Sequence, residues 1–239
     1  MTIDQIIALS ASVGAFLAAI ATFLTVRQMV QQRVASYRPE LVISRTHFEG
    51  SQDPVIPSHW VPKLSTQAAG EGFPFFSMPL VNVGLGTAKN LLIRWSFPIE
   101  EMVAQVNQLA QRTLTPVYFD LENGVLTIKS DTLGNGASIW RNQQEESLDY
   151  LLPVSIQKDS SVIRLPLVFV QLCSALLYLA AKDKDRADFP VTPILSAQID
   201  FLDIGGKRHS TNYDISLQIV MFGGDGKFFH GYLESNKRS

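Results

Sequence analysis

Apolar positions in this chain follow three patterns, and each predicts a different element. The first is a run with no alternation. IDQIIALSASVGAFLAAIATFLTV carries no charge between Gln5 and Val26 and is apolar on every face. About 22 residues at about 1.5 Å each give a helix of roughly 33 Å, enough to cross a hydrocarbon core of about 30 Å. A core helix of a globular domain is usually shorter or amphipathic. A signal peptide wants a basic start, but here Asp4 precedes the run and no Lys or Arg does. The pattern predicts an uncleaved transmembrane helix that continues through RQMVQQRVAS to about Ser36 and ends before Pro39. Residues 1–37 are thus anchor and juxtamembrane helix, and residues 38–239 form one domain.

The second pattern is alternation with period two, the signature of half-buried strands. PELVISRTHF reads as a first strand with Leu41 and Ile43 on one face. Two β-rich runs, Phe75 to Val83 and Lys89 to Phe97, flank the turn residues Gly84, Leu85 and Gly86; in the second, Leu91, Ile93 and Trp95 oppose Leu92 and Arg94. VYFDLENGVLTIKS predicts a hairpin at Asn123-Gly124, with Leu126 and Ile128 sharing a face. DTLGNGASIW reads as a second turn, and LDYLLPVSIQ as an edge strand closed by Pro153. ILSAQIDFLDIGGKRHSTNYDISLQIVMF reads as two strands joined near Gly205-Gly206. Between them, Glu49 to Gly72 is a long irregular connection with Pro54, Pro57 and Pro62, in which His59-Trp60 is expected to pack the loop onto the domain. The tail GGDGKFFHGYLESNKRS reads as Gly-rich and flexible, expected to pack back on the domain, with a short partner-binding peptide as the alternative.

The third pattern has the helical period. Ile99, Met102, Val103, Val106, Leu109 and Ala110 follow Pro98, with Glu100 and Glu101 as favourable charges in the first turn. Leu165 to Ala181 is a second apolar run, which contains Gln171. A second crossing there would part the last strands from their sheet partners, so the stretch predicts a helix buried on the sheet.

LVNVGLGTAKNLLIRW, with its Asn-x-Gly turn, an alanine just after it and a following strand, resembles Ig-like adhesion-type modules. It is also similar to the cytoplasmic β domain of small, uncharacterised bacterial single-span membrane proteins that continue into an Arg-Pro-Glu-Leu strand, here Arg38 to Leu41. LSAQIDFLDIGGKRHSTNYDISLQI is similar to the closing hairpin of such proteins. The two stretches cover about a quarter of the soluble chain, and motifs of this kind report fold, not activity. The resemblance implies a mainly β fold with accessory helices (α+β): an N-terminal transmembrane helix followed by an Ig-like β-sandwich with no inherited active site.

Charge then orients the chain. Arg27, Arg33 and Arg38 follow the span, and basic flanks stay on the cytoplasmic side. This predicts a single-pass protein of the inner (plasma) membrane with its amino terminus outside, its domain in the cytoplasm, and membrane lipid beside those arginines. The lone Cys173 forms no internal disulfide, as suits a reducing compartment. A net charge of −2 with scattered basic residues leaves no nucleic-acid footprint. Within the span, Ser10, Gly14, Ala18 and Thr22 recur every four residues, a small-residue face on which two helices can approach closely.

Catalytic signatures are missing: the chain has no Gly-x-Ser-x-Gly elbow, Walker loop, paired zinc cysteines or His-Glu-x-x-His. Gly84-Leu85-Gly86 is not a dinucleotide loop, since Lys89 stands where a third glycine belongs and a strand follows. Asp200, Asp203, His209 and Asp214 invite a metal reading, but a hairpin spreads such side chains over its faces and turn, so neither metal nor cofactor is expected. The expectation is a non-catalytic, membrane-anchored interaction or sensor protein that recognises a protein partner and self-associates in the membrane. The alternatives are a membrane-disrupting effector of a bacterial stress or antiviral system, and an enzyme with a loop-built site from His59, Asp203 and His209.

Overall fold

The computed structural model describes residues 3–51, 60–62, 76–130, 134–157, 160–183, 191–223 and 228–238. Its first element, α1 (Ile3–Ser36), is one unbroken helix of 34 residues. At about 1.5 Å per residue it runs for roughly 50 Å. No part of its most apolar stretch is buried in the chain, and it is long and apolar enough to span a membrane.

The strands follow in chain order: β1 (Leu41–Ile43), β2 (Thr46–Ser51), β3 (Trp60–Pro62), β4 (Ser77–Asn82) and β5 (Ala88–Ser96). After α2 (Ile99–Arg112) come β6 (Val117–Glu122), β7 (Val125–Ser130), β8 (Gly134–Ile139), β9 (Glu145–Leu151) and β10 (Ser161–Arg164). Next is α3 (Leu167–Lys182), and β11 (Leu195–Leu202), β12 (Arg208–Gly223) and β13 (Phe228–Arg238) close the chain. The strands form a seven-stranded sheet in the order β3-β2-β13-β12-β11-β5-β9, and two three-stranded sheets, β1-β4-β10 and β6-β7-β8.

The core lies inside a sandwich-like arrangement. Strand alternation turns Leu195, Ala197, Ile199 and Phe201 of β11 and Leu91, Ile93 and Trp95 of β5 inward, all nearly inaccessible. The small β1-β4-β10 sheet crosses this inner face with Leu41, Ile43, Met78 and Leu80. Two hydroxyls tie the layers together: Tyr213 of β12 donates to the Leu41 carbonyl, and Ser235 of β13 donates to that of Ile43 at 2.6 Å. Phe48, Phe76 and Phe229 fill the same interface edge to face.

As the apolar run predicts, α3 is a buried helix, with twelve residues from Val168 to Ala180 buried. Its half-buried Gln171 accepts from the Ser138 hydroxyl at 2.8 Å. Gln143 supplies the missing N-terminal cap by accepting from the Val168 N–H at 3.1 Å. The amphipathic α2 covers α3, and its Asn107 pairs both ways with the Phe119 backbone on the edge strand β6.

The structure corrects three readings. PELVISRTHF is not one strand: β1 and β2 belong to different sheets, separated at Ser44, whose N–H donates to Pro79 O at 2.9 Å. GNGASI of the expected second turn is strand β8, glycines included. The tail does pack back on the domain, but as regular structure and not as a flexible segment: Phe228–Arg238 is an interior strand between β12 and β2. The short strand β10 had no sequence signal.

Registers fix what lies at the helix-bearing end. Leu41 pairs with Asn82, Ala88 with Leu151, and Leu202 with both Lys89 and Arg208. The connections 37–40, 83–87, 152–157 and 203–207 therefore gather at the end where α1 enters.

Candidate functional site at the helix–domain junction

α1 ends at Ser36, and the chain must turn within Tyr37-Arg38-Pro39 to enter β1. Asn82, at the end of β4 and only 1% exposed, holds that turn. Its side-chain oxygen accepts from the N–H groups of Glu40 and Gly84, each at 3.1 Å. Its amide nitrogen donates to Gly86 O at 2.7 Å and Leu151 O at 3.2 Å. A carboxamide has two donors and a two-lone-pair acceptor, so all are satisfied. One side chain thus joins the segment leaving α1, the turn after β4 and the end of β9. The Val83 N–H adds a bond to Glu40 O at 2.8 Å.

Gly84 and Gly86 make this contact possible. A Cβ on Gly84 would lie 2.3 Å from Arg38 O, and one on Gly86 would lie 1.7 Å from Tyr37 O. The Gly-Leu-Gly turn serves close backbone approach to the base of the helix. Tyr213 supports the junction from beneath: burial, with the Glu40 carboxylate nearby, pushes its phenol up to about 12, so it stays a donor to Leu41 O.

Beside the junction a cleft of about 730 Å³ opens between α1 and the β11–β12 turn, lined by Val30, Gln31, Arg38, Asp203 and Lys207 to Ser210. The turn closes on Asp203, which accepts from the Lys207 N–H at 2.9 Å and pairs with His209 Nε2 at 2.9 Å. Those two bonds, that of His209 first, hold the Asp203 carboxyl below its ordinary value. His209 also stacks on Phe201 at 5.3 Å.

The metal-reading residues divide. Asp203 and His209 meet, while Asp200 pairs with Arg94 and Asp214 with Arg238. Among the described residues, no three His, Cys, Asp or Glu side chains converge. His59 lies outside the described residues, and Asp203 and His209 form a turn-closing pair.

Ser10, Gly14, Ala18 and Thr22 are all exposed on α1, and a Cβ on Gly14 would meet nothing within 4 Å. Ser10 and Thr22 bond back to Ile7 O and Ala18 O, at 2.9 and 2.8 Å, so neither hydroxyl needs an outside partner in lipid. Arg27 is exposed on the helix, the backbone of Arg33 continues it, and Arg38 is exposed just past its end. Cys173 is fully enclosed in α3, and burial pushes its thiol well up.

Sequence reading missed Asn82 as the hub and missed the meeting of Arg38 with Lys207 and Arg208. The Asn-x-Gly pattern and the isolated Lys207-Arg208 pair were visible, but their joint position depends on sheet register. Compared with protein-family models, curated proteins and solved structures, the chain matches none.

Proposed function

We propose that this chain is a membrane-anchored, non-catalytic interaction or sensor protein. In this reading α1 crosses the inner (plasma) membrane of a bacterial cell with the amino terminus outside, and the Ig-like β domain recognises a protein partner in the cytoplasm. The chains associate through the face of Ser10, Gly14, Ala18 and Thr22. The observation that carries the reading is the Asn82 junction, which bonds the segment leaving α1 to two separate parts of the domain. A helix clamped in this way carries the domain with it, so helix pairing and domain placement become one event. The polar, ion-paired outer face of the seven-stranded sheet suits a reversible partner better than a permanent one.

The test is purification of the full-length protein from native membranes in mild detergent, with size analysis and mass spectrometry, beside Gly14→Leu/Ala18→Leu. The expected result is a defined oligomer or complex that the double variant loses. A monomer without partner in both preparations would contradict the reading. Toxicity of the wild type that disappears in the double variant would move the account to a membrane-disrupting effector.

A further inference from the structure

We propose that the β11–β12 turn is a second membrane contact, in which Arg38, Lys207 and Arg208 hold the phosphate headgroup of an anionic lipid beside α1 while Ile204 rests against the bilayer interface. The inference depends on α1 spanning the membrane. Three cations reach one cleft from opposite ends of the sequence, and all three are exposed. None has an ion-pair partner among the described residues, unlike Arg94, Arg112 and Arg238, each of which faces a carboxylate. The one carboxylate in the cleft, Asp203, is already engaged by His209 and the Lys207 N–H. The cleft therefore presents positive charge on its turn side and the apolar Val30 on its helix side. That combination matches a phosphate attached to the start of an acyl chain.

Depth points the same way. Val30 and Gln31 lie about 6–8 Å along the helix beyond Val26, the last residue of the uncharged run. The headgroup layer of one leaflet is about 5–8 Å thick. A turn that shares a cleft with those two residues stands at headgroup level. At its tip Ile204 is 62% exposed, with no packing inside the domain to account for it.

The test uses the full chain in lipid nanodiscs, either purely phosphatidylcholine or with about one third phosphatidylserine. Ile204→Cys, Leu17→Cys in mid-span and Val191→Cys at the far end of the domain each carry an environment-sensitive fluorophore. The enclosed Cys173 thiol does not compete for label. The expected result is a blue shift at position 204, with quenching by a headgroup nitroxide, in phosphatidylserine discs only. It should vanish in Arg38→Gln/Lys207→Gln/Arg208→Gln, with position 191 silent throughout. Hydrogen exchange of the unlabelled protein should slow at 203–208 under the same condition.

A position 204 as silent as 191, with position 17 quenched by a deep nitroxide, overturns the inference and leaves the anchor intact. An unquenched position 17 overturns the anchor and the inference together. Contact that ignores phosphatidylserine or survives the triple variant overturns headgroup binding. Contact displaced by inorganic phosphate overturns the lipid source.

Discussion

At the scale of single residues, the account rests on Asn82 and on the Asp203–His209 pair. Replacing Asn82 with alanine leaves two N–H groups and two carbonyls of the junction without their partner. The expected cost is roughly 2–4 kcal/mol, because unmet buried polar groups keep their full desolvation penalty. Denaturant titration of the full-length protein in detergent checks this, and exchange at the Glu40 amide should rise most. Asp203 gives a pH dependence. Its folded-state pKa is lowered, so its contribution is complete above the unfolded value of about 3.9 and fades as pH falls through the lower folded value. Protection of the Lys207 amide, normalised to intrinsic exchange, should fall over that acid window, and Asp203→Asn should abolish the dependence.

Among elements, those with a local signal were legible and those defined by long-range pairing were not. The apolar runs of α1 and α3, the helical period of α2 and the Asn-Gly turn, where Asn123 and Gly124 both take positive φ, depend on neighbours in sequence. The division of β1 from β2 depends on Pro79, more than thirty residues away, and nothing in PELVISRTHF announces it. β13 was hidden because Gly223, Gly224 and Gly226 precede it and its mixed polarity suggests a tail. In the sheet its residues alternate, with Phe229 and Leu233 fully buried and His230, Tyr232 and Glu234 half-buried. Leu233→Ala should therefore cost roughly 3 kcal/mol, as for any core leucine, whereas a loosely packed tail would lose almost nothing. The edge strand β9 carries Glu145, Glu146 and Asp149, charges that discourage pairing with another chain.

For the whole molecule, the features bearing on function collect at one end. The helix, the Asn82 hub and the cleft with its three cations all lie where the registers bring together connections separated by most of the chain. Sequence reading reached the long apolar helix and the β-rich domain, but not this junction, since Arg38 and Lys207 become neighbours only after two sheets have formed. The opposite end carries Val191, Val220 and Met221, exposed apolar residues far from the helix.

The central claim is an α1 that spans a membrane with the domain on its inner side. Its most direct test is cysteine accessibility of the full-length protein in right-side-out and inverted membrane vesicles, with Asp4→Cys and Val191→Cys and a membrane-impermeant thiol reagent. The account predicts that position 4 labels only in right-side-out vesicles, that position 191 labels only in inverted ones, and that both variants stay in the membrane after carbonate extraction. Extraction by carbonate, or labelling of both positions from one side, would contradict it.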